Sequence, residues 1–336
     1  MSKMKLAIIG ATGTTYKRTI PALVNSMVSE VVAIQGRNLE KLKIAQSEFQ
    51  IKEIYTNEKE MLANANYDYI YIGTPPFLHF ENIEVATLTS KPIICEKPLA
   101  INYEEGVKIS HLLSRYNNKT FMIAHHLRHQ KSIQDIKGFL QSSLIGEVLN
   151  VSLQWGYEMN LKAPNAIWKI NPKLGGKGTF SDNGIHIVDL AIFLFGLPKS
   201  IYGKAEHVRT KETFDNETAF LNYDKSCIQL HSSQCMKFPG NHILIYGTKG
   251  SIEAFNSIGE KYINKVSIKS SNTHTIIEYF ETNLYRNEVE DFCMGLTDST
   301  FEHNGTTLKE GLNALKIIDT IRVSANSVST VEFNHE

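Results

Sequence analysis

Residues 5–15 read KLAIIGATGTT: an apolar run that stops at Gly10, followed by small residues that open a helical pattern. A short strand that ends in glycine and feeds a helix presents backbone N–H groups to an anion, as a dinucleotide fold does for a pyrophosphate. The spacing is incomplete, because G-x-G-x-x-G would put glycines at Thr12 and Thr15, and only Gly10 and Gly13 are present. Alone, the stretch also reads as a turn after a strand. The rhythm around it decides.

Four more apolar runs follow at intervals: EVVAIQG (30–36), YDYIYIG (67–73), KPIICE (91–96) and KTFMIAH (119–125), separated by helical patterns such as NLEKLKIAQSEF (38–49). Strands alternating with helices, each strand apolar on both faces, are the signature of a parallel sheet covered on both sides. Beyond residue 125 the runs lengthen and alternate with period two, as in GEVLNVSLQWGYE (146–158) and HILIYGTKGSIEAF (242–255). That period predicts an antiparallel sheet. The expected class is therefore α/β: a doubly wound parallel sheet in residues 1–124, then an α+β domain with a large, open, mainly antiparallel sheet in 125–336. Helical patterns near 185–194, 284–293 and 308–324 are expected to cover one face of the second sheet.

Bulk composition narrows the partners. Lysine plus arginine total 35 and aspartate plus glutamate total 35, so no net field draws the chain to nucleic acid or an anionic membrane. The longest central apolar stretch, LAIFLFGL (190–197), is far shorter than the roughly 20 residues that cross a bilayer. Cys95, Cys227, Cys235 and Cys293 show neither metal-type pairing nor disulfide density, which points to a reducing cytoplasm.

Phosphate-loop contacts fall to Gly10, Thr12, Gly13 and Thr14. The second strand ends in Gln35, Gly36, Arg37 and Asn38, where an NAD site usually offers a carboxylate to the ribose. An arginine there pairs with a 2′-phosphate in forked geometry, or stands solvated at a helix start. NADP is the expected cofactor, with NAD left open because Gln35 can bind a bare ribose. At the carboxyl ends of later strands stand TPPFLH (74–79) and CEKP (95–98), which brings Thr74, Pro75, His79, Glu96 and Lys97 toward the cofactor. His79 is also readable as a helix cap. A lysine at such an end can donate a hydrogen bond to a substrate oxygen and stabilise the charge that develops there. Pro98 stops the strand and can take a cis bond, while Glu96 can hold the loop or the lysine. The histidines of HHLRH (125–129) lack the partners of a metal site, so no metal is expected. Arg128 and His126 are candidates for the substrate mouth or ordinary surface or hinge residues, and Trp168 for a sugar-facing wall or a core aromatic.

These residues carry a resemblance. The chain resembles the glucose–fructose oxidoreductase, inositol dehydrogenase and rhizopine-catabolism (Gfo/Idh/MocA) family over most of its length. Glu96, Lys97 and Pro98 match its E-K-P hallmark, and GGKGTFSDNGIHIVDL (175–190) matches a second, with Asp182, Gly184, His186 and Asp189 in place. The resemblance implies a Rossmann domain, then a domain whose open sheet pairs with another subunit in a dimer or tetramer. It implies a hydride transfer between NAD(P)(H) and a secondary alcohol or ketone of a sugar or cyclic polyol. Lys97 would polarise the substrate oxygen, His186 would exchange its proton, and Asp182 would bind substrate or tune the pair. Asp182 and His186 are four apart, so on one helix they would face the same way. Lys17, Arg18 and Pro21 also resemble a branch that reduces 3-keto sugars. Two other classes stay open: a glycosidase using held NAD as a transient oxidant, and a dinucleotide-responsive regulator without catalysis.

Overall fold

The computed structural model describes residues 2–116, 120–259, 264–271, 273–298 and 300–335. The first sheet is built from β1 (Met4–Ile9), β2 (Ser29–Gln35), β3 (Glu53–Tyr55), β4 (Tyr69–Ile72), β5 (Ile93–Glu96) and β6 (Phe121–Ala124). All neighbours are parallel, and the order is β3-β2-β1-β4-β5-β6. Strand order therefore reverses between β1 and β4, the switch point outside which ligands bind in such sheets. Leu6, Ile8, Ile34, Tyr69 and Tyr71 are fully buried, as expected of strands covered on both faces. β3 leaves no mark in the sequence, because its three residues are half-buried and too few to show a period.

Asparagine starts much of the helical cover. Asn38, Asn57, Asn102 and Asn283 each accept a backbone N–H from the first turn of the helix they precede, Leu39–Phe49, Glu58–Asn64, Tyr103–Arg115 and Leu284–Thr297. Each such cap satisfies one of the donors that a helix start leaves open.

The chain forms two compact units, residues 1–129 with 283–312, and 130–282 with 313–336. A single cut near residue 125 does not describe this, because the chain returns to the first unit. The helix Leu284–Thr297, expected over the second sheet, instead buries Val289, Phe292 and Cys293 in the core of the first. Its apolar residues at i, i+3 and i+4 define a face; they carry no information on which sheet the face meets. The returning segment also guards an edge, since Thr306 forms an antiparallel bridge to Ile123 of β6.

In the second unit, β7 (Val148–Gly156), β8 (Ser200–Glu206), β9 (Asn216–Asn222), β10 (Cys227–Ser233), β11 (His242–Gly247), β12 (Gly250–Phe255), β13 (Asn264–Ser270), β14 (His274–Tyr279) and β15 (Val331–Glu332) form one sheet. Its order is β14-β13-β12-β11-β7-β10-β9-β8-β15, antiparallel throughout except for the β7–β10 pair. Alternation is clean: Val151, Leu153, Ile228, Leu230, Ile243 and Ile245 are fully buried on one face. The helix Gly184–Phe195, apolar on nearly every side, packs on β7 and β10. Leu149, Tyr246 and Phe255 stand exposed. No helix among the described residues is long and apolar enough to cross a membrane.

Candidate active site

The loop after β1 explains the incomplete glycine pattern. Gly10 has φ +85, and a Cβ there would stand 2.6 Å from the Thr74 methyl and 2.8 Å from the Thr74 nitrogen, so only glycine fits. At Thr12 and Thr15 the room is made by the facing chain. The Thr12 methyl packs against Gly36, and the buried Thr15 hydroxyl donates to the Gly73 carbonyl at 3.3 Å, where Gly73 has no side chain to obstruct it. The glycines have moved to the opposite side of the same contacts.

The loop fits a dinucleotide. Gly13 precedes the short helix Thr14–Lys17 with no side-chain cap, and nothing lies within 4 Å of where its Cβ would be. The first turn thus has no side-chain cap of its own, which leaves its N–H groups for a pyrophosphate. Gln35, at the end of β2, accepts the Gly10 N–H on its side-chain oxygen at 3.3 Å and donates to Glu58 at 3.4 Å. Arg37 is exposed. Asn38, expected at the cofactor, has its side-chain oxygen occupied as a cap, accepting the Lys41 N–H at 2.9 Å.

The loop after β5 is tied down from within its own unit. The Glu96 carboxylate accepts the Tyr71 hydroxyl at 2.8 Å and the Lys97 N–H at 3.2 Å, and the Lys97–Pro98 bond is cis. Burial pushes the Glu96 pKa above its usual value, against the opposing pull of Lys97 and the Tyr71 hydrogen bond. Near Lys97 stand His126, Tyr285 and Arg18. His126 stacks on Tyr285 with centroids 4.9 Å apart, and the Arg18 guanidinium lies 5.9 Å from the same ring. Burial, and then the charges of Lys97, His125, Arg18 and His129, hold the His126 pKa well below its ordinary value. Tyr285 comes from the returning helix, and no local signal could have linked it to a motif near residue 97.

His79 is fully buried, with ring nitrogens 2.9 Å from the Thr74 carbonyl and 3.0 and 3.2 Å from those of Pro98 and Leu99. It begins the helix His79–Thr87, but its side chain does not cap it. Arg128 is 2% exposed and forms an ion pair with Glu310 at 2.9 Å, which makes it an internal pin of the first unit.

In the second unit, Asp182 is the centre of a polar cluster. Lys169 donates to both its oxygens at 2.7 and 2.8 Å, and the Tyr157 hydroxyl and the Gln234 amide each reach it at 3.0 Å. His186 lies 2% exposed with its ring stacked on Trp155, centroids 4.7 Å apart. The expectation that Asp182 and His186 share a helix face is corrected: the helix begins at Gly184, and Asp182 precedes it with φ −106 and ψ −89. What aims Asp182 is its set of donors, not helical periodicity. Trp168 is half-buried in the short helix Ala166–Lys169, beside the lysine that engages Asp182.

The fold and the first loop define a nucleotide-binding oxidoreductase architecture, and comparisons with known proteins agree. Residues 4–125 match the oxidoreductase family model with an NAD-binding Rossmann fold, and residues 133–253 match the GFO/IDH/MocA C-terminal domain. The chain belongs to the Gfo/Idh/MocA family. Among relatives, it is 24% identical to the D-xylose 1-dehydrogenase (NADP(+)) 2 of Haloferax volcanii, over 98% of this chain and 100% of that one. It is 29% identical to the trans-1,2-dihydrobenzene-1,2-diol dehydrogenase of Xenopus tropicalis, over 70% and 68% of the respective chains. Its fold is similar to that of an aldose-aldose oxidoreductase from Caulobacter crescentus, with a TM-score of 0.89 at 20% identity, covering 99% and 100% of the two chains.

Proposed function

We propose that the protein transfers a hydride between NADP(H) and a secondary alcohol or ketone of a sugar or cyclic polyol. The observation that carries this reading is the β5 loop, where Lys97 follows a carboxylate fixed by Tyr71 at the carboxyl end of a parallel sheet. The bound nicotinamide supplies or accepts the hydride. Lys97 donates a hydrogen bond to the substrate oxygen and stabilises the negative charge that grows there as the C–H bond breaks or forms. His186 takes the hydroxyl proton during oxidation and returns it during reduction, which suits an imidazole near neutral pH. Asp182, steadied by Lys169, Tyr157 and Gln234, accepts a further hydroxyl of the substrate, and Trp168 offers an apolar face to a sugar ring.

Support for this substrate class comes from relatives named for a sugar and for a cyclic diol. Support for NADP comes from the exposed Arg37 at the end of β2 and from a relative named for that cofactor. We assign the exposed sheet face carrying Tyr246 and Phe255 to a second copy of this chain. The test of the whole reading is a panel of aldoses, 3-keto sugars, inositols and dihydrodiols followed at the reduced-nicotinamide absorbance with each cofactor. Turnover of one class with NADP(H) is expected. A panel without any cofactor-linked turnover overturns the assignment.

A further inference from the structure

We propose that His79 is a positioning residue, an imidazole peg that holds the loop after β4 against the loop after β5 and so sets where the Lys97 ammonium stands. This rests on the role proposed above for Lys97.

The argument is geometric. β4 and β5 are adjacent parallel strands, and their carboxyl-terminal loops leave the sheet side by side. The pairing of β4 with β5 ends at Ile72 and Cys95, and beyond it other contacts fix the separation of the two loops. His79 meets both: Nε2 stands 2.9 Å from the Thr74 carbonyl, and Nδ1 stands 3.0 and 3.2 Å from the carbonyls of Pro98 and Leu99. A carbonyl oxygen can only accept, and burial lowers the His79 pKa so that the ring carries one N–H near neutral pH; it donates to one loop and packs its other nitrogen against the carbonyl of the other. The ring is fully buried, and its contacts are to backbone rather than to a mobile side chain.

The bracket extends further. Thr74 abuts Gly10 of the phosphate loop so closely that a Cβ at Gly10 would stand 2.8 Å from the Thr74 nitrogen. The Thr74 hydroxyl is itself anchored to Asn82 at 2.7 Å, one turn into the helix that His79 begins. One contiguous chain of contacts thus runs from the phosphate loop, through Thr74 and His79, to the residue after Lys97. A lysine that polarises one oxygen must be held within a fraction of an ångström, and a misplacement of about 1 Å can cost on the order of 100-fold in rate.

The experiment compares wild type, His79→Ala, His79→Gln and Lys97→Met. NADPH affinity is measured by fluorescence titration, kcat and KM on the fastest substrate of the panel, and amide hydrogen exchange over residues 94–101. His79→Ala is expected to lower kcat about 10- to 100-fold, to leave the NADPH Kd within about threefold, and to speed exchange in the 94–101 peptide. His79→Gln keeps an N–H donor and is expected to recover part of kcat. If His79→Ala keeps full turnover and unchanged exchange while only its melting temperature falls, the ring is filler and the inference is overturned. A parallel loss of NADPH affinity overturns it as well, by making His79 a determinant of cofactor binding. Should His79→Ala fail to fold, His79→Leu, which keeps bulk but has no N–H, decides: lowered kcat and faster exchange support the peg, and a wild-type exchange pattern and kcat refute it. Full turnover in Lys97→Met removes the underlying reading of Lys97, whereas loss in Lys97→Met with none in either His79 variant removes this inference alone.

Discussion

Arg37 and His126 show how much a single side chain decides. Arg37 stands exposed at the end of a strand where a carboxylate would repel a 2′-phosphate, and Gln35 beside it already serves the phosphate loop. Arg37→Ala is expected to weaken NADPH at least tenfold more than NADH, the loss of about one charge-assisted pair; equal losses in parallel titrations would mean that the arginine is only solvated. His126 is a buried imidazole ringed by Lys97, His125, Arg18 and His129, and its folded pKa lies below its unfolded one. Folding therefore favours the neutral ring: the contribution is present above about pH 6.5 and lost as pH falls. Urea midpoints of wild type and His126→Gln at pH 7.5 and 5.5 check this, and wild type should lose ground to the variant at the lower pH. A constant gap would show that His126 keeps an ordinary affinity for protons. At this scale the sequence exposed Lys97, Asp182 and His186 through their motifs. It hid Lys169, Tyr157 and Gln234, which bond Asp182, Trp155, which stacks on His186, and Tyr71 and Tyr285, which touch Glu96 and His126, all across gaps in the chain that no spacing records.

Elements were legible in proportion to how strongly burial shaped them. Five parallel strands declared themselves as apolar runs because both their faces are covered, while β3, short and half-buried, left no pattern. The helix Leu284–Thr297 was visible as a helix, but its destination was not, since an apolar stripe fits any apolar surface of matching shape. Its cap gives a test. Asn283 accepts the Arg286 N–H at 3.2 Å, and Asn283→Ala should cost about 1 kcal/mol of unfolding free energy, read from urea denaturation followed at the first unit. No measurable loss would mean that water satisfies the helix start as well as the asparagine does. The second hallmark differs for a related reason: its four-residue spacing suggests one helix face, but the helix begins at Gly184, two residues after Asp182.

At the scale of the whole molecule, the second sheet buries one face and leaves Tyr246 and Phe255 exposed on the other. If a second copy covers that face, light scattering of the purified chain will return at least twice the 37.9 kDa of one chain. Replacing Tyr246 and Phe255 together by lysine should shift the mass to that of a monomer. An unchanged mass would assign the exposed residues to solvent or to another partner. The return of residues 283–312 to the first unit has a consequence for truncation too: a fragment ending near residue 129 would lack Val289, Phe292 and Cys293 from its core.

The central claim is that the Lys97 ammonium stabilises charge on the substrate oxygen during hydride transfer. Stopped-flow measurement of the hydride-transfer rate in Lys97→Met, at saturating NADP(H) and saturating substrate, tests it most directly. A fall of about 100-fold or more is predicted, with the NADPH Kd unchanged within about threefold. A transfer rate equal to that of the wild type would contradict the account.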